Sequence, residues 1–165
     1  MTPVAREWTT HAIGGAAVLG TYAWGAGQPN IDALWGRLPV EAIGPYTACM
    51  PFAAIGYLVT MAWSLRRTRR GEAPWSPTFA MILAASAAWL PLCFVDLANP
   101  SRAGWWLIQA DLATTAVGAL ILLRALWSTP RQGGLHAAAR VGWIAFCVQT
   151  VALDAVVWPQ FFGVT

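Results

Sequence analysis

Five apolar stretches, each close to the length a helix needs to cross a lipid bilayer, divide this chain and restrict its fold more than any other feature. They run from Trp8 to Gly27, Ile43 to Leu65, Pro77 to Leu97, Gly104 to Trp127 and Val141 to Phe162. A helix needs roughly 20 apolar residues to span a hydrocarbon core of about 30 Å. Within lipid the backbone must satisfy its own polar groups, so helices are predicted for all five. Only 10% of the 165 residues are charged and 58% are hydrophobic, against roughly 25% charged in a soluble domain. No hydrophilic segment is long enough for a second domain. The reading is a single all-α domain over residues 1–165, an integral membrane bundle of five transmembrane helices surrounded by lipid bilayer. The first stretch is the weakest, because Arg6, a modest apolar run and the small residues near Ala23 to Ala26 also fit a cleaved signal peptide; the expectation is that it stays as helix one.

All ten basic residues are Arg, which excludes a pigment held as a Schiff base on Lys. Eight of them, Arg6, Arg66, Arg67, Arg69, Arg70, Arg124, Arg131 and Arg140, fall on one side of a five-helix arrangement, and Arg37 and Arg102 on the other. Loops rich in Arg stay cytoplasmic, so the N-terminus is expected inside and the C-terminus outside. Breakers mark the connections: GQPN, GEAPWSP, NPSR and STPRQGG. Connections this short predict antiparallel packing of sequential neighbours. The first outer loop, Gln28 to Gly44, is long enough to fold over the bundle mouth and serves equally as a plain connector. Ala16, Gly20, Ala53, Ala84 and Ala88 are expected where helices approach closely.

The 11 Trp residues are explained first by the interfacial belt, where indole prefers the headgroup level. Trp8, Trp63, Trp75, Trp105, Trp106, Trp127, Trp143 and Trp158 all fall near predicted helix ends. Trp35 in the first outer loop, with Trp24, Trp89 and Trp158, can converge on the outer half of the bundle and stack on a ligand. Two carboxylates lie within the predicted spans, where each costs about 2.5–3.5 kcal/mol to insert. Asp111 and Asp154 both sit roughly 9–12 Å below the outer surface at 1.5 Å per residue. Asp96 closes helix three on the same side, and Gln109, Thr114, Thr115 and Gln149 add polar side chains. This zone reads either as interhelical polar glue or as a ligand pocket.

His11 and His136 are expected on the cytoplasmic side, at the start of helix one and in the fourth loop. Nothing in their spacing argues for axial haem ligation, so they read as interfacial histidines. Cys49, Cys93 and Cys147 have no CxxC or metal spacing and read as buried thiols, with a Cys49–Cys93 pair as the alternative. No phosphate loop, catalytic triad or metal cluster is visible, no catalytic or metal-binding residue is assigned, and no nucleic-acid partner is expected.

The segment AWLPLCFVDLANPSRAG around helix three carries Trp89-Leu90-Pro91, a Trp-x-Pro, and helix five carries ALDAVVW. With five short-looped helices, a longer first loop and IGPY leading into helix two, these features resemble the tryptophan-rich sensory protein family, TspO/MBR, which includes the mitochondrial translocator protein. The resemblance covers about Gly44 to Trp158. It implies a dimer-forming five-helix bundle that binds porphyrins or sterol-like lipophiles under the first loop. Departures are Ser86 where the family has Asn before Trp-x-Pro, Asp154 where it has Asn, LPVEAIGPY in place of a Pro/Trp-rich approach to helix two, and no counterpart to the family's Trp inside that helix. Ligand binding is therefore carried over, and porphyrin degradation is not.

The leading expectation is a small membrane receptor or carrier for a planar hydrophobic ligand, a tetrapyrrole such as a porphyrin or haem-type molecule or a sterol-like lipophile. The ligand would be bound between Trp35, Ser86, Trp89, Asp111, Asp154 and Trp158, in a homodimer or as part of a complex. Two alternatives stay open: an accessory subunit of a larger membrane complex, and an intramembrane enzyme acting on a lipid or isoprenoid through Asp111 and Asp154.

Overall fold

The computed structural model describes residues 1–162. Its helices are α1 (Pro3–Ala26), α2 (Val40–Arg69), α3 (Ser76–Ala98), α4 (Arg102–Ser128) and α5 (Gly133–Cys147). Helix α5 runs on without a break as a π-helical stretch, Val148–Val157, and a 3-10 turn, Trp158–Gln160. Local chemistry sets several starts. Thr2 caps α1 by accepting from the Ala5 N–H at 3.2 Å, and Ser101 caps α4 by accepting from Gly104 at 2.9 Å. Pro3 and Pro77 occupy first-turn positions, where a missing N–H is harmless.

Four of these elements, Val40–Arg69, Ser76–Ala98, Arg102–Ser128 and Gly133–Gln160, are long and apolar enough to cross a membrane, and the chain is an integral membrane protein. Helix α1 is 24 residues long but does not join that set, because Arg6, Glu7, His11 and three Thr dilute its apolar run. Helix α5 starts eight residues before the expected Val141. Its first two turns, GGLHAAAR, are Ala-rich and helical without being apolar. His136 therefore lies on a helix and not in the fourth loop.

Around the bundle the order is α1, α2, α5, α4, α3, with α3 closing the ring against α1. The expectation that every sequential pair packs side by side fails for α2 and α3, which face each other across the centre through side chains such as Tyr57 and Phe79. Helix α5 takes the place beside α2 because two glycines let it in. A Cβ on Gly56 would strike the Gly142 carbonyl, and a Cβ on Gly142 would lie 2.7 Å from the Gly56 Cα. Glycines make the other seams too: Gly14 and Gly25 of α1 seat Leu83 and Leu90 of α3, and Gly118 of α4 seats Ile82. Of the small residues expected at seams, Ala53 is buried, whereas Ala16, Gly20 and Ala84 face outward. Small size permits close approach without saying which face will use it.

The Arg-rich end holds one core cluster, with Trp63, Phe79, Ile82, Leu122, Leu126 and Trp143 at its centre. The opposite, acidic end holds another around Leu90, Cys93, Ile108, Trp158 and Phe162. Trp63, Trp143 and Trp158 are thus core residues, each no more than 2% exposed, and the belt reading is corrected for them. Their indoles fill space between helices, and the N–H of Trp143 donates to the Ala119 carbonyl at 2.8 Å. Trp8, Trp24, Trp106 and Trp127 do face outward.

Candidate functional site

The first loop folds over the acidic end. Residues Ile31–Trp35 form a 3-10 turn, and Leu34 and Leu38 are buried. Gly36, at φ +52°, lies against the Phe161 carbonyl where a Cβ would collide. The Arg37 N–H donates to that carbonyl at 3.0 Å, and the Trp158 indole donates to the Leu34 carbonyl at 2.8 Å. The loop thus packs over the acidic end and is fastened to the end of the last helix.

Under this loop the residues proposed from sequence are distributed unevenly. Asp154 accepts from the Tyr46 hydroxyl of α2 and, at 2.8 Å, from the Gln149 amide. Trp35 meets the Tyr46 ring edge-on at 5.5 Å between centroids. Trp89 meets Trp158 edge-on at 5.4 Å and Tyr22 of α1 at 6.2 Å. Trp158 also stacks on Phe162 at 4.3 Å, so one of its faces and its N–H have structural uses. Trp24 does not converge with these residues; it stands half-exposed against Phe94. Asp111 projects from α4, and among the described residues it shares no hydrogen bond with Asp154. Ser86 is half-buried on α3 without a hydrogen bond to the others. Asp96 belongs to a turn: it is buried and accepts from the Ser101 N–H at 3.1 Å, closing the α3–α4 connection.

Among the described residues several buried polar atoms in this half have no partner: the Trp89 Nε1, the Asp111 Oδ2, the Gln149 Oε1 and the Gln109 Nε2. Such atoms cost about 1–3 kcal/mol each when left unpaired. An arrangement of aromatic rings with unpaired donors and acceptors can recognise a flat apolar molecule bearing a polar edge. Tyr46 and Tyr22 were not singled out from sequence. Tyr46 lies in the IGPY segment, three residues after the expected start of helix two, and only the tertiary fold turns it toward Asp154.

The two histidines are buried and not interfacial. The His11 Nδ1 meets the Tyr57 hydroxyl at 2.6 Å, and its ring packs on Phe79 at 4.5 Å. The His136 Nδ1 accepts from the Gln132 N–H at 3.1 Å and its Nε2 faces the Leu126 carbonyl at 3.1 Å. A backbone N–H only donates and a carbonyl only accepts, so His136 is the neutral Nε2–H tautomer. All three cysteines are free: Cys93 and Cys147 are buried, and Cys49 is partly exposed. Among the described residues no group of three or more His, Cys, Asp or Glu is placed to hold a metal.

No family model, curated protein or solved structure matches this chain.

Proposed function

We propose that this chain is a small membrane receptor or carrier for a planar hydrophobic ligand, of the tetrapyrrole or sterol-like class, held at the acidic end of the bundle beneath the first loop. The observation that carries this reading is the set of unpaired buried polar atoms on Trp89, Asp111 and Gln149 at the same end of the bundle as the rings of Trp35, Tyr46, Tyr22 and Trp89. A ligand that supplies polar partners there offsets their desolvation cost. The resemblance of AWLPLCFVDLANPSRAG and ALDAVVW to the TspO/MBR family supports the same ligand class. On this reading α1 is a fifth span, the Arg-rich end is cytoplasmic and the C-terminus is outside. The outward small residues Ala16 and Gly20 of α1 would suit a homodimer, or equally an accessory-subunit role beside another membrane protein.

Titrating a porphyrin into the purified protein tests it. Tryptophan fluorescence should quench saturably, and Trp35→Phe should weaken binding by about 0.5–1.5 kcal/mol. Quenching that does not saturate and is identical in the variant would mean simple partitioning into the detergent or lipid.

A further inference from the structure

At the Arg-rich end a cavity of about 380 Å³ opens between the end of α2 and the start of α5, lined by Trp63, Arg66, Arg67, Arg70, Gly133 and Gly134 among others. Arg66 lies in the last turn of α2, and Arg70, four residues on, is the residue that caps that helix. Among the described residues neither pairs with a carboxylate. Arg67 is held rigidly: its Nε donates to Glu72 at 2.7 Å and its guanidinium lies over Trp75 at 4.4 Å and over Trp63 at 5.2 Å. Its side chain is only 11% exposed, and its Nη1 is buried without a partner. From the other wall come the first residues of α5, whose leading N–H groups have no acceptor within the helix. Gly133 and Gly134 leave that wall bare, since a Cβ on either would meet nothing within 4 Å.

We propose that this cavity binds a phosphate group, with Arg66, Arg67 and Arg70 clamping its oxygens and the start of α5 donating from the opposite wall. Three independent features converge: a fork-shaped donor pre-oriented by two Trp rings, two further guanidiniums without counter-charge, and a helix start kept bare by glycines. The volume falls in the range of small-molecule sites, so the phosphate carries an attached group. That group is either the glycerol backbone of an anionic lipid or part of a soluble phosphorylated molecule. The site is independent of the ligand proposed at the acidic end.

The experiment uses the full chain in neutral detergent and follows thermal unfolding as probes are added. The probes are phosphatidic acid in mixed micelles and inorganic phosphate, with phosphatidylcholine as background. Saturable stabilisation by phosphatidic acid alone identifies a lipid headgroup, and stabilisation by both probes identifies a soluble phosphate. In either case the double substitution Arg66→Ala, Arg70→Ala should weaken the apparent affinity about tenfold or more, as expected for lost charge-assisted bonds. Gly134→Asp separates binding from folding. An acidic side chain in a helix's first turn favours the helix, yet it brings negative charge to the cavity wall, so it should abolish the ligand effect while the protein stays folded. The absence of any saturable shift with either probe, or equal affinity in the wild type and the Gly134→Asp variant, would overturn the proposal.

Discussion

Gln149 donates to Asp154 five positions further along the same helix, at 2.8 Å. In an α-helix residues five apart point about 140° away from one another. Here they share a face because Val148–Val157 is wound as a π-helix, whose hydrogen bonds run between residues five apart. The winding thus places an amide and a carboxylate on the bundle interior, where the Tyr46 hydroxyl completes the cluster. If this cluster reads the proposed ligand by charge, wild-type affinity should change between about pH 4 and about pH 9 as Asp154 titrates. Asp154→Asn should flatten that profile while the protein stays folded. Superimposable profiles would reduce Asp154 to interhelical glue.

Tyr46→Phe removes one donor to Asp154 and leaves the ring against Trp35. The expected cost is about 1–3 kcal/mol of stability for a hydrogen bond to a partly buried carboxyl. A double-mutant cycle with Gln149→Ala should be non-additive, because both groups donate to the same Asp154 oxygen. Additive losses in thermal unfolding would show that the two bonds act independently.

Trp158→Phe keeps most of the apolar bulk and deletes the bond to the Leu34 carbonyl. It should loosen the first loop, seen as faster proteolysis or hydrogen exchange within residues 28–39, and lower stability by about 1 kcal/mol. Trp127→Phe, at an outward-facing ring, should do neither.

Helix α5 is admitted beside α2 by Gly56 and Gly142. Gly56→Ala should cost about 1–3 kcal/mol by overpacking, and Gly56→Leu should prevent assembly of the bundle. Gly20→Ala, with open space around the added methyl, should leave monomer stability unchanged. Thermal unfolding in detergent distinguishes the three.

Glu7 is fully buried near the start of α1 and accepts from the hydroxyls of Ser64 and, at 3.0 Å, Thr68 on α2. Replacing it with Leu strands the Ser64 hydroxyl and leaves the Thr68 hydroxyl only the Ser64 carbonyl, at 3.1 Å, so a loss of about 1–3 kcal/mol is expected. Glu7→Gln, which keeps an acceptor, should recover part of it. Orientation is read separately: with five spans, reporters at Met1 and after Arg70 report inside, and one after Thr165, which lies outside the described residues, reports outside. A Met1 reporter found outside would remove α1 from the spans.

Length and apolarity alone determined that the chain is helical and built for a bilayer, because in hydrocarbon a run of apolar residues has little alternative to a helix. The approximate spans of α2, α3 and α4 were legible for the same reason, as was the grouping of Asp96, Asp111 and Asp154 at one end. What sequence could not supply was direction around each helix axis. Apolar residues surround the spanning parts of α2, α3 and α4 on all sides, since lipid and protein interior ask for similar side chains, so no amphipathic stripe marks the inward face. That is why Trp63, Trp143 and Trp158 read as belt residues and proved to be core, and why Gly14, Gly25, Gly56 and Gly142 make the seams while Gly20 and Ala16 do not. Ring order, the first loop's attachment through Trp158 and Phe161, and the π winding that aligns Gln149 with Asp154 were decided only by tertiary structure. Each depends on contacts between residues far apart in the chain, or on a helical register that no local propensity specifies.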